Sequence, residues 1–123
     1  MSDRIEELLT ASLMQVFNER DPQRRRAAIE RTYSADVRWT DDEDVSVGRD
    51  HLESRAQALQ DGQLAGLSFA KAGPVYQTRG FGYLAWNIVA PGSDAPIVSG
   101  FDVALMTDER ISQLFSVITK TPG

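Results

Sequence analysis

Ile97-Val98-Ser99-Gly100-Phe101-Asp102-Val103-Ala104-Leu105-Met106 is the stretch whose reading decides the fold. It is an apolar run of strand character, and Thr107-Asp108-Glu109 turns it tightly into a last strand over 110–120. Alternation places Val98, Gly100, Asp102 and Ala104 on one face and Phe101, Val103 and Leu105 on the other. Both faces are largely apolar, which predicts a central, enclosed strand. A carboxylate in such surroundings must be paired, hydrogen-bonded or kept neutral. Asp102 is therefore a candidate for chemistry, and Gly100 beside it predicts space for a ligand. A plainer reading stands next to this one, in which Asp102 only ties down a neighbouring backbone group or arginine.

The period-2 pattern extends upstream. Phe81 to Val89 reads as a strand, joined to the next through Pro91-Gly92-Ser93-Asp94, and 67–77 reads as one long strand with Gly73-Pro74 as a bulge or bend. Phe81, Tyr83 and Trp86 are read as an aromatic row on one face, suited to a core or a dimer interface. Before residue 62 the period is 3.6. Asp3 and Glu6 have capping-box spacing for a helix over 3–20, with Ile5, Leu8, Leu9, Leu13, Val16 and Phe17 on its apolar face. Asp21-Pro22 opens a second helix that runs to about Tyr33 and buries Ala28, Ile29 and Thr32 or Tyr33. Asp50 with Glu53 predicts the cap of a third, reaching Asp61-Gly62. Three helices followed by hairpins predict an α+β fold, a curved antiparallel sheet packed against N-terminal helices, in one domain over 1–123.

Composition narrows the function classes. At 41% hydrophobic and 25% charged residues the chain can build an ordinary core. It has no cysteine, which excludes disulfides, thiolate metal sites and a cysteine nucleophile. A net charge of -5 argues against a nucleic-acid partner, and Arg24-Arg25-Arg26 reads as a solvated helix face because consecutive residues point in different directions. Neither a signal-peptide core nor a membrane-length apolar run is present, so a cytoplasmic location is expected.

A second acid shares the parity of an inward aromatic. In Tyr33-Ser34-Ala35-Asp36-Val37-Arg38-Trp39-Thr40-Asp41, the residues Val37, Trp39 and Asp41 fall on one face of a short strand. Asp41 also opens the acidic loop Asp41-Asp42-Glu43-Asp44, which matches no calcium-loop spacing. His51 is the only histidine and reads as a surface residue, so no metal and no cofactor are expected.

The order of elements, with Asn18-Glu19-Arg20-Asp21-Pro22, the Tyr33–Asp41 stretch, Val47-Gly48-Arg49-Asp50, Ser99 to Leu105 and Arg110-Ile111, resembles the nuclear transport factor 2-like superfamily, in its SnoaL-like branch. The resemblance implies a cone-shaped fold over essentially the whole chain. By resemblance to ketosteroid isomerase, Asp41 falls on the general base, Asp102 on the hydrogen-bond-donating acid and Tyr33 on a supporting tyrosine. That pattern also has a tyrosine on the first helix, where this chain has Leu13, Met14 and Phe17, and an aromatic where this chain has Ile118. SnoaL-type polyketide cyclases use one acid–base aspartate in an apolar pocket, which implies Asp102 or Asp41 with Met14, Phe17, Trp39 and Trp86 as walls. The expected function is an acid–base isomerase or cyclase for a small apolar carbonyl compound, in a homodimer formed through the outer sheet face. The alternative is a non-catalytic ligand-binding or interaction module.

Overall fold

The computed structural model describes residues 4–122. The expected cap at Asp3 lies outside them. Helix α1 (Arg4–Ala11) passes into a π-helical segment, Ser12–Phe17, closed by the Asn18 N–H donating to the Leu13 carbonyl at 3.1 Å. Helix α2 (Pro22–Thr32), strands β1 (Tyr33–Thr40) and β2 (Val45–Val47) and helix α3 (Arg49–Asp61) follow. The remainder is sheet: β3 (Ser68–Lys71), β4 (Tyr76–Thr78), β5 (Phe81–Val89), β6 (Val98–Thr107) and β7 (Arg110–Lys120). Among the described residues, no helix is long and apolar enough to cross a membrane.

The strands form one curved sheet in the order β2-β1-β7-β6-β5-β3, with β4 also on β5. It is mixed rather than purely antiparallel, because β1 runs parallel to β7. The chain between them, through β2, α3 and the strands β3 to β6, returns to the same end of the sheet, as a parallel neighbour requires. The expected long strand over 67–77 is two short ones. Both pair with β5, and their register shifts across Gly73, whose φ is +138°. Central placement of β6 between β5 and β7 follows the expectation from its two apolar faces.

The helices cover the inner face of the sheet. Ile5, Leu8, Leu9, Leu13, Val16, Leu52, Leu84, Ala104, Ile111 and Leu114 are all buried in one core. Gly82 lets α1 lie directly on β5, since a Cβ there would stand 2.6 Å from Ile5 Cγ1 and 2.7 Å from Leu9 Cδ1. On β5 the even residues Leu84, Trp86 and Ile88 face inward, so Trp86 does not join Phe81 and Tyr83 in an aromatic row. Those two face outward, where Tyr83 meets Tyr76 and Phe101 at ring separations of 6.0 and 5.0 Å.

Two local readings change. Asp21 does cap α2, its side chain accepting from the Arg24 N–H at 3.1 Å ahead of Pro22. Asp50, by contrast, lies inside the first turn of α3, and the cap position is Gly48 at φ +93°. Arg25 is not part of a solvated face. It is fully buried, because it falls on the same stripe as Ala28, Ile29 and Thr32. Its guanidinium makes a bidentate pair with Glu53 at 2.7 and 2.9 Å and donates to the Glu19 carbonyl and to Gln57 and Gln60. Gln60 in turn donates to the carbonyls of Phe17 and Glu19, which fastens the end of the π-helical segment to α3.

Truncating Arg25 leaves Glu53 and several acceptors without their donor. We expect Arg25→Ala to lower unfolding free energy by about 3–5 kcal/mol in urea titration. A change below about 1 kcal/mol would show that solvent reaches the network.

Candidate active site

Four neighbouring strands, β1, β7, β6 and β5, each send one polar side chain to the same place. Register explains the convergence. Asp102 on β6 is paired with Ser116 on β7, while Trp86 on β5 pairs with Gly100, two residues from Asp102 on the same face. Trp39 on β1 pairs with Leu114, two residues from Ser116. The result is a chain of donors. The Trp39 indole N–H donates to Ser116 Oγ at 3.1 Å, and Ser116 donates to Asp102 Oδ1 at 2.8 Å. From the other side the Trp86 indole N–H donates to the same oxygen at 2.9 Å.

The second oxygen, Oδ2, has no hydrogen-bond partner among the described residues. No described side-chain N or O atom is both buried and unpartnered, so Oδ2 opens onto the adjoining cavity. The residue as a whole is only 3% exposed. Burial pushes its pKa from the usual carboxylate value up to about 6, against the lowering effect of the Trp86 and Ser116 hydrogen bonds. One oxygen is held and the other is free. That is the geometry of a group able to take and return a proton at one defined atom.

The cavity measures about 450 Å³ and is largely apolar. Trp39, Phe17, Phe69 and Trp86 form one wall, with successive ring separations of 4.9, 6.1 and 5.0 Å, the first two pairs tilted and the last edge to face. Leu59, Leu64, Leu67, Ile88, Val98 and Ile118 are among the other apolar residues that line it. Of the residues read from the sequence, Asp41, Asp102, Phe17, Trp39, Trp86 and Ile118 all lie on this cavity. Met14 does not. It sits on the outer side of its helical turn, 43% exposed, because the π-helical segment directs Leu13, Val16 and Phe17 inward instead.

Tyr33 is also off the cavity wall. It is fully buried, with its hydroxyl 2.5 Å from Ser12 Oγ. Burial pushes that hydroxyl's pKa well above the ordinary phenol value. The Ser12 hydrogen bond offsets part of the rise, and the nearby Asp102 charge adds to it. Gly100 does not make room for a ligand either. A Cβ there would stand 2.6 Å from Trp86 Cη2 and 2.3 Å from the Val117 carbonyl, so the space belongs to the indole that holds Asp102.

Asp41 has a different environment from Asp102. Its Oδ1 accepts the backbone N–H groups of Glu43 and Asp44, both at 2.9 Å, and Oδ2 accepts from Arg55 Nη2 at 2.5 Å. Arg55 also donates to Ser46 and lies 4.2 Å over the Trp39 ring. This arginine had no signal in the sequence, since only the packing of α3 against β1 and β2 brings it there. Ser116 was equally silent, although its parity with Leu114 marks it as inward-facing.

Solved structures share this architecture. A candidate isomerase of the SnoaL-like family from Agrobacterium tumefaciens strain C58 aligns over 97% of this chain and 100% of its own, with a TM-score of 0.87 at 21% identity. A candidate SnoaL-like polyketide cyclase from Jannaschia sp. CCS1 aligns over 94% and 85%, with a TM-score of 0.75 at 11% identity. A de novo designed protein with a curved β-sheet aligns over 97% and 88%, with a TM-score of 0.73 at 11% identity. No protein-family model and no curated protein matches the chain. At these identities the likeness establishes the fold. It is the α+β cone of SnoaL-like and nuclear transport factor 2-like proteins, as the resemblance in sequence implied.

The buried acid has a consequence for stability. A carboxyl whose folded pKa lies above its unfolded value binds its proton more tightly when folded, so stability falls as pH rises between about 4 and 6. We expect Asp102→Asn, which keeps the shape and removes the charge, to stabilise the fold at pH 7.5 and to flatten that pH dependence. The gain at neutral pH is on the order of 1–3 kcal/mol, and it should vanish near pH 4. Thermal unfolding across pH 4–8 checks this, and a loss of stability at neutral pH would contradict it.

Proposed function

We propose that this protein binds a small apolar carbonyl compound and catalyses a proton transfer on it through Asp102, in the manner of an isomerase or cyclase. The observation that carries this reading is the divided carboxyl of Asp102, with Oδ1 fixed by Trp86 and Ser116 and Oδ2 open to an apolar cavity. A carboxyl with a pKa of about 6 is a base at neutral pH and a competent acid once protonated. In the reaction, the C–H bond beside the carbonyl breaks, its proton passes to Oδ2, and the electron pair is taken up as an enolate. Return of the proton to another carbon completes an isomerisation; alternatively the enolate carbon attacks a second carbonyl, whose π electrons form an alkoxide that takes the proton back from Oδ2, completing a ring closure.

The surroundings favour one kind of substrate. Both indole N–H groups and the Ser116 hydroxyl are already committed. The other polar non-acidic lining residues, Gln63 and Thr121, are exposed. With no committed donor for the enolate oxygen, the pocket suits a carbon flanked by two carbonyls, as in polyketide chains, more than a simple ketone. An absent donor of that kind typically lowers turnover about 100- to 1,000-fold. Asp41 is held by Arg55 and two backbone N–H groups, so its part in this reading is to fix the cavity mouth and the Trp39 wall.

Deuterium exchange tests the proposal. With a 1,3-diketone in D₂O, followed by proton NMR, the protein should accelerate exchange at the central carbon with a pH profile rising through about 6. Asp102→Asn should lose at least about 100-fold of that rate and Asp41→Asn much less. Equal rates for wild type and Asp102→Asn would contradict it.

The outer sheet face supports a second element, a homodimer. Tyr76, Phe81 and Val117 stand 63%, 37% and 41% exposed there, beside the half-buried Tyr83, Phe101, Val103 and Phe115. Such an apolar aromatic patch suits a self-complementary interface. Light scattering should give twice the chain mass for wild type and a monomer for Tyr83→Arg. A monomeric wild type would remove this element and leave the pocket chemistry untouched.

A further inference from the structure

The side chains around the cavity close on themselves. Trp39, Phe17, Phe69 and Trp86 follow one another ring to ring, and the gap between the two tryptophans is bridged by Ser116 and Asp102 through their indole N–H groups. The cavity is thus girdled by four aromatic rings and one carboxylate. Its described lining contains three acids, Asp41, Asp42 and Asp102, and no lysine, arginine or histidine. Arg55 offsets Asp41 from behind, which leaves Asp42 at the rim and Asp102 within.

Aromatic faces carry negative potential, and attraction to a cation strengthens where water is excluded. The structure already contains an instance, since the Arg55 guanidinium lies 4.2 Å over the outer side of Trp39. On the inner side no described cationic side chain meets the open Oδ2. An anionic ligand would be repelled there, and a neutral ligand would answer the charge on that oxygen only weakly. An ammonium group carried on an apolar body satisfies both the oxygen and the rings.

We propose that this cavity selects its ligands by charge and binds apolar compounds bearing a protonated or quaternary ammonium group, seated between Asp102 Oδ2 and the aromatic girdle. The inference rests on the same open oxygen as the proton-transfer reading, and it does not require turnover. A cation held at Oδ2 occupies the base, so such compounds compete with the carbonyl substrate.

Calorimetric titration of wild type with benzyltrimethylammonium and with its neutral isostere, neopentylbenzene, separates charge from shape. The cation should bind at least about tenfold more tightly. Asp102→Asn should cut that preference at least about threefold while keeping the affinity for neopentylbenzene, which also shows that the variant retains its pocket. In the diketone exchange assay, benzyltrimethylammonium should inhibit competitively. Equal affinities in wild type, or a preference undiminished by Asp102→Asn, would overturn charge selection at Oδ2 and leave proton transfer standing. Binding of neither compound would overturn it as well. A clear preference without any diketone exchange would sustain charge selection and sink the catalytic reading instead.

Discussion

The structure turns on one buried carboxyl that is satisfied from both sides but only at one of its oxygens. A charge with so little exposure is tolerable because Trp86 and Ser116 reach Oδ1 from the two strands that flank β6. That arrangement depends on register. A one-residue slip of β5 or β7 against β6 would turn that strand's inward side chains outward and remove its donor, Trp86 or Ser116. It depends equally on Gly100, because any side chain there would displace the Trp86 ring and strike the β7 backbone. The glycine, the tryptophan and the aspartate therefore form one unit, in which packing decides electrostatics.

Much of the scaffold was legible in the sequence, for physical reasons. Helical and strand periods are properties of neighbouring residues, so α2, β1, β5, β6 and β7 could be read almost to their ends. The misreadings fall where a second element decides. Arg25 looked like one of three equivalent surface arginines, yet its spacing to Ala28, Ile29 and Thr32 placed it on the buried stripe. Met14 was a wall by resemblance alone, while the period of Leu13, Val16 and Phe17 already gave them the inward face and left Met14 at the surface. The parity of Trp86 against Phe81 and Tyr83 was readable by counting alone.

The site was legible only in part. Asp102, Trp39 and Trp86 could be suspected because acids and indoles in apolar strands are conspicuous. Ser116 and Arg55 could not, because each acquires meaning through a partner far away in the chain. The two aspartates looked alike in sequence, and their difference lies in what surrounds them. Asp41 is answered by a guanidinium and two backbone N–H groups, while Asp102 keeps one oxygen open. A designed protein shares this curved-sheet fold, so the cone itself implies no chemistry. The chemistry has to be argued from the polar unit set into the inner face of this chain.

The most direct test of the account is a titration of the Asp102 side-chain carboxyl by carbon-13 NMR, with Asp102→Asn to assign the resonance. A midpoint near 6, moving upward when Ser116→Ala removes one donor, is the result the account predicts. A midpoint below about 4, at or under the ordinary aspartate value, would mean that solvation or pairing dominates over burial. Asp102 would then be a structural acid, and the open-oxygen chemistry would have no basis.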